Sequence, residues 1–170
     1  MIYVITGPPG AGKTSLSQAL LKSVEFGLHI PVDDLRGWVK SGMSDSVPWT
    51  EETERQFQIA ERAACAVART YDQAGFTVVI DHCRNIPRLE NLIQSEFAGF
   101  EVKKILLLPD LETNLARNAS RTDKSFDPLI LEDTIRFTHE AYRGNTPDGW
   151  MVCNNAHKSV SETVNLVTPL

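Results

Sequence analysis

Eight residues near the start of the chain, Gly7-Pro8-Pro9-Gly10-Ala11-Gly12-Lys13-Thr14, fit the pattern G-x-x-x-x-G-K-[ST]. These residue types suit one kind of chemistry, the holding of phosphate. Glycines let successive backbone N–H groups turn inward with no Cβ in the way. Such N–H groups at the start of a helix make an anion site. In this pattern the lysine reaches the β- and γ-phosphates and the following hydroxyl ligates Mg²⁺. Lys13 and Thr14 take those roles here, and Ser15 continues the cradle.

Acids at strand ends have a second place in such chemistry. Phe76–Ile80 is the clearest strand of the chain, β-branched and aromatic without charge, and Asp81 ends it. In a phosphate-loop protein an acid in that place holds Mg²⁺, directly or through water. Leu28–Val32 reads as a short strand, put at a sheet edge by Pro31, which cannot donate to a ladder. It runs into Asp33-Asp34-Leu35-Arg36. Side chains in an extended exit alternate, so one aspartate of the pair faces the phosphates, and Asp33 directly follows the strand. Arg117 and Arg121 stand one turn apart at the end of a helix expected from Leu111 to about Ser120. Two like charges at that spacing are unfavourable unless an anion joins them, and the phosphates of ATP are such an anion.

These residues need elements to bring them together. Ile2–Ile5 reads as a strand and Lys13 to about Val24 as a helix. Thr50 caps a long helix with Phe57, Ala60, Ala64, Val67 and Tyr71 inside. Pro87 opens another, with Leu89, Leu92, Ile93 and Phe97 inside. The run near Val102–Leu108 reads as a strand buried on both faces. Asp127-Pro128 starts a helix with Ile130, Leu131 and Ile135 inward. Gly144–Gly149 is a turn, Trp150–Cys153 a last strand, and Ser159 with Glu162 a capping box. Five apolar strands alternating with helices predict an α/β fold with a mainly parallel sheet and helices on both faces. Ligands then sit at the C-terminal strand ends, where the glycine loop, Asp33, Asp81 and Asn154-Asn155 all fall.

The 170 residues suit one domain, 1–170, with a sizeable core. The net charge of −5 excludes a global basic field for nucleic acid, though not a local groove. Three distant cysteines, Cys65, Cys83 and Cys153, read as reduced thiols. No apolar run approaches membrane-spanning length and no leader precedes the first strand, so the expectation is a cytoplasmic protein without a membrane partner. His29, His139 and His157 lack metal-ligand spacing, and His82 reads as a packing or hydrogen-bonding residue.

In its order of elements the chain resembles the small P-loop kinases related to polynucleotide kinase, chloramphenicol phosphotransferase, gluconate kinase and zeta toxins. The loop Gly7–Thr14 carries the likeness first. Asp33-Asp34-Leu35-Arg36 resembles the Asp-Asp-Tyr-Arg of polynucleotide kinase, in which the first Asp is the base and the Arg contacts substrate. Asp81 followed by Asn85, Pro87 and Arg88 resembles the Asp-x-Thr-Asn-x-x-x-x-Arg pattern, and Arg117 and Arg121 resemble lid arginines. The resemblance implies a P-loop NTPase α/β/α sandwich with strand order 2-3-1-4-5 and a helical lid at about 117–127. It also implies ATP and Mg²⁺, with adenine between Arg117 and the Asn154–His157 loop, Asn155 included. Asp33 would be the base, and Asp33, Arg36, Trp38 and Arg84 would meet a hydroxyl-bearing acceptor in a region at about 33–60.

Departures bound the function. Adenylate kinases carry Asp-Gly-Phe/Tyr-Pro-Arg after the third strand, and Asp81-His82-Cys83-Arg84 is shorter and lacks the Gly and Pro. Transfer to a hydroxyl is therefore favoured over a nucleoside-monophosphate kinase, and the acidic net charge favours a small acceptor over a polynucleotide 5′-end. Many motor and AAA+ ATPases have a water-orienting Glu after the strand acid. His82 at that position, with no second helical domain, counts against such an ATPase. A third class, an ATP-binding regulator with little phosphoryl transfer, would leave Asp33 as a turn residue.

Overall fold

The computed structural model describes residues 1–122, 127–144, 146 and 148–168. Positions 123–126 of the expected lid, and 145 and 147 of the expected turn, lie outside these.

The strands are β1 (Ile2–Thr6), β2 (Gly27–Pro31), β3 (Thr77–Asp81), β4 (Val102–Leu107) and β5 (Trp150–Cys153). All pair in parallel, in the order β2-β3-β1-β4-β5. β1 is central and buried throughout, as a strand covered on both faces must be. Ile2 and Val4 join one core with Ile80 and Leu106, against α3 (Glu51–Gln73), α4 (Ile86–Glu96) and α6 (Glu132–Gly144). Tyr3 and Ile5 join the other with Ile105 and Leu107, against α1 (Lys13–Leu21) and α7 (Val160–Val167). Pro31 sits on an edge strand, as its missing N–H requires. Thr50 and Ser159 each close a capping box.

Four expectations change. Val32–Gly37 is a short helix, α2, rather than an extended exit. Asp33 and Asp34 occupy its first turn, where acids favour the helix dipole. Their side chains therefore diverge by about 100° instead of alternating, and both are exposed. On α3 the buried face runs through Phe57, Ala60, Ala64 and Ala68 and takes in Glu61 and Cys65. Tyr71 is exposed, edge-on to Phe76 at 5.1 Å. Pro128–Leu131 is a 3-10 turn that leaves Ile130 outside, and α6 buries Ile135, His139 and Tyr142 instead. Finally, α5 (Leu111–Ala119) ends before Arg121, so Arg117 and Arg121 do not share a helix face.

Candidate active site

The glycine loop joins β1 to α1 and is shaped by what lies beneath it. A Cβ on Gly7 would stand 2.3 Å from the Leu107 carbonyl oxygen, so only glycine lets the chain leave β1 so close to β4. Gly12 is the residue before α1 and has φ 96°, left-handed backbone that side chains resist. Two buried asparagines support the loop from outside it. Asn114 of α5 donates its amide to the Pro9 carbonyl at 2.5 Å, and Asn155 donates to that of Ala11 at 2.9 Å. Arg117 donates to the Asn155 carbonyl at 2.9 Å. The structure thus brings Arg117 and Asn155 to the loop. Asn114 escaped the sequence reading; its polar side chain on the inner face of a helix was the available signal. Thr14 and Ser15 are exposed at the start of α1. The Lys13 ammonium folds onto the Gly7 and Pro8 carbonyls at 3.0 and 3.1 Å, within the cradle its own loop forms.

Asp81 ends β3 beside this loop. Burial pushes its carboxyl up, but His29, Lys13 and Thr14 together hold it below the usual carboxylate range. His29 Nε2 and Asp81 Oδ2 are 2.6 Å apart. The parallel register explains a pairing that spacing along the chain did not show. Pro31 lies opposite Asp81, and His29, two residues earlier, shares the face of its strand. Asp81 and Thr14 are hard oxygen donors that meet each other, a pair suited to Mg²⁺ shared with phosphates and water. Among the described residues no cluster of three or more His, Cys, Asp or Glu offers a metal cage.

Across the strand ends lies Asp33. Burial raises the pKa of the Cys83 thiol, the Lys13 charge lowers it and the Asp33 charge raises it. Thr6 and Tyr142 fasten this exit by donating to the Arg84 carbonyl at 3.0 and 2.8 Å. Trp49 stacks on Phe57 at 5.0 Å, and Phe57 on His82 at 5.6 Å. Trp38 is exposed at the end of α2.

Two expected acceptor contacts, Arg36 and Arg84, are turned inward. Arg36 lies over the Phe57 ring at 4.4 Å and donates to the Ser46 hydroxyl and the Ser44 carbonyl. Arg84 pairs with Glu54 at 2.5 Å and Glu61 at 2.9 Å. Glu61 is 1% exposed and also meets His82 at 3.1 Å and Arg88 at 3.0 Å. Burial pushes its carboxyl up, yet His82, Arg88 and Arg84 bring it down to about 2. A glutamate on the inner stripe of α3, between Phe57 and Ala64, was the one sequence sign of this network.

A profile of a family described as an AAA domain matches residues 4–133. No curated protein matches the chain. Among solved structures, the tunicamycin resistance protein of Deinococcus radiodurans superposes with TM-score 0.70 at 15% identity, covering 98% of this chain and 92% of that one. A sugar kinase of Janibacter sp. HTCC2649 gives 0.70 at 17%, over 96% and 90%. A gluconokinase of Sinorhizobium meliloti 1021 gives 0.65 at 19%, over 97% and 87%. These likenesses establish the fold, that of small P-loop kinases. The family match runs from β1 to the start of α6. The chain belongs to the AAA-domain family, built on the five-stranded parallel sheet shared with small P-loop kinases.

Proposed function

We propose that this protein is an ATP- and Mg²⁺-dependent phosphotransferase that moves the γ-phosphate of ATP to a hydroxyl group. The observation that carries the reading is the parallel sheet, which sets Lys13, in the loop after β1, and Asp33, in the first turn of α2 after β2, at the same edge on either side of the β3 exit. That placement puts a phosphate-holding cation and an exposed carboxylate at one set of strand ends. The likeness in fold to a sugar kinase and a gluconokinase supports a hydroxyl acceptor.

The chain's residues then divide the work. The loop amides and Lys13 hold and neutralise the phosphates, and Arg117 comes from the α5 side. Thr14 and Asp81 would hold Mg²⁺, which when bound offsets the charge of the β- and γ-phosphates. His29 keeps the Asp81 carboxylate oriented. Asp33 accepts the acceptor's hydroxyl proton as the oxygen–phosphorus bond forms. The bond from the γ-phosphorus to the bridging oxygen breaks, ADP leaves, and the proton passes from Asp33 to solvent. In a loose transition state that proton departs late, so positioning matters more than basicity. His82 is stacked on Phe57 and held by Glu61, which leaves the position after Asp81 without a group to orient water.

The test is ADP formation across a panel of sugars, alcohols, antibiotics, nucleosides, 5′-hydroxyl oligonucleotides and nucleoside monophosphates. Acceptor-dependent ADP with a hydroxyl compound supports the reading. Turnover with monophosphates alone makes the protein a nucleoside-monophosphate kinase. ATP binding with no acceptor-dependent turnover makes it a regulator.

A further inference from the structure

Two hydroxyls close the sheet where its backbone ladder stops. β1 and β3 stay paired as far as Ile5 and Asp81, and the His82 amide donates to the Ile5 carbonyl at 3.0 Å. Past that point β1 turns into the glycine loop beside β4, where a Cβ on Gly7 would meet the Leu107 carbonyl. Among the described residues no backbone bond joins 7–12 to 82–85. The buried Arg84 amide and carbonyl therefore take their partners from side chains. The amide donates to Thr6 Oγ1 at 3.3 Å. The carbonyl accepts from the Thr6 hydroxyl at 3.0 Å and from the Tyr142 hydroxyl at 2.8 Å, and the two hydroxyls are 3.2 Å apart.

This tie is fully inside the protein, with Thr6 0% and Tyr142 3% exposed. Burial pushes the Tyr142 hydroxyl well above its ordinary pKa, so its proton stays in place to be donated. Tyr142 stands on α6, which is fastened one turn earlier as well. There His139 Nε2 donates to the Pro109 carbonyl at 2.8 Å. One helix thus grips the exits of β1, β3 and β4.

The first two of those exits carry the two halves of the candidate metal site. Thr6 directly precedes the loop that leads to Lys13 and Thr14, and Arg84 lies three residues past Asp81. Mg²⁺ demands a near-ideal octahedron of oxygens at about 2.0–2.1 Å, so ligands from two strands must keep their separation closely. The loop's glycines give it freedom rather than stiffness. A buried hydrogen-bond network, fully satisfied, gives the stiffness they lack.

We propose that Thr6 and Tyr142 are positioning residues, whose hydroxyls hold the glycine loop at the distance from Asp81 at which one Mg²⁺ meets both Asp81 and the loop-bound phosphates. The proposal rests on the phosphotransferase reading above, in which the loop takes ATP, and Asp81 with Thr14 the metal. A tie that served only the Arg84 backbone would add stability and leave the metal's effect on ATP affinity alone.

The experiment is calorimetric titration of the full chain with ATP, once in excess Mg²⁺ and once in EDTA, and it reads the ratio of the two affinities. Metal-free ATP reports the loop alone, and the ratio reports its alignment with Asp81. Tyr142→Phe keeps the ring in the core and leaves Thr6 on the Arg84 carbonyl. Its ratio should fall about tenfold, with metal-free affinity within about twofold of the parent's. Thr6→Val should lower the ratio as far, and Thr6→Ser, which retains the hydroxyl, should keep the parent's ratio. An unchanged ratio in Tyr142→Phe and Thr6→Val, even beside a lower melting temperature, would overturn the inference and leave the phosphotransferase reading standing. A parent whose ATP affinity does not respond to Mg²⁺ would overturn the inference together with the metal dependence of the reading beneath it.

Discussion

The glycine loop and the α2–α3 region face each other across the strand ends and are built on opposite plans. The loop is made of backbone. Its shape is dictated by Gly7 against Leu107 and by asparagine amides on the Pro9 and Ala11 carbonyls. Phosphate is the same in every nucleotide, so a backbone cradle that recognises it can stay the same. The α2–α3 region is made of side chains. Its arginines, aromatics and acids depend on rotamers set by neighbours such as Phe57 and Glu61. On the proposed reading, one end would bind charge by a general solution and the other would read shape by a particular one.

The sharpest way to break this contrast is Lys13→Ala. Its ammonium donates to two loop carbonyls and supports no core contact among the described residues, so the fold should survive while ATP turnover falls at least about 10³-fold. Steady-state ADP release, with circular dichroism for the fold, checks this. Unchanged turnover would remove the phosphate-loop assignment. Asp33→Asn tests the other side. The chemical step should drop about 10²–10⁴-fold in single-turnover assays, with ATP affinity little changed. Asp34→Asn should do much less. Because both aspartates are exposed on α2, a dead Asp34 variant beside an active Asp33 variant would show that the site reads the other face of that helix.

His29→Ala bears on the junction between the two regions. It removes the partner of Asp81, and the Mg²⁺ concentration for half-maximal turnover should rise about 10–100-fold, measured by metal titration. An unmoved Mg²⁺ dependence would show that His29 does not orient Asp81 for the metal.

Glu61→Gln should act on stability and spare ATP affinity. It takes from His82 its carboxylate and leaves Arg84 with Glu54 alone, at a cost of about 3–5 kcal/mol in urea unfolding. The same contact sets a pH response. The folded value of about 2 lies below the ordinary 4.5, so its stabilisation is complete above about pH 4.5 and is lost as pH falls toward 2. Acid unfolding of the parent should be steeper through that window than that of the Glu61→Gln variant. Equal steepness would mean the buried network adds nothing to the acceptor-side scaffold.

The strand order came only with the resemblance to small P-loop kinases; the phosphate loop, its strand and helix and the edge position of β2 were legible in the chain alone. Each follows from short-range rules: glycine's freedom of φ, proline's missing donor, and the apolar runs of buried strands. Thr50 and Ser159 were legible for the same reason, since a cap is satisfied within four residues. What the chain alone did not show involves partners far apart in sequence. His29 meets Asp81 because parallel pairing sets β2 beside β3 in one register. Glu61 is buried because His82 and Arg84 at the β3 exit and Arg88 on α4 close around it. Arg36 and Arg84 turn inward because Phe57 and Glu61 offer better company than water. A periodic pattern states which residues face inward, but a charge enters the core only where its partners already are, and tertiary packing alone decides that place.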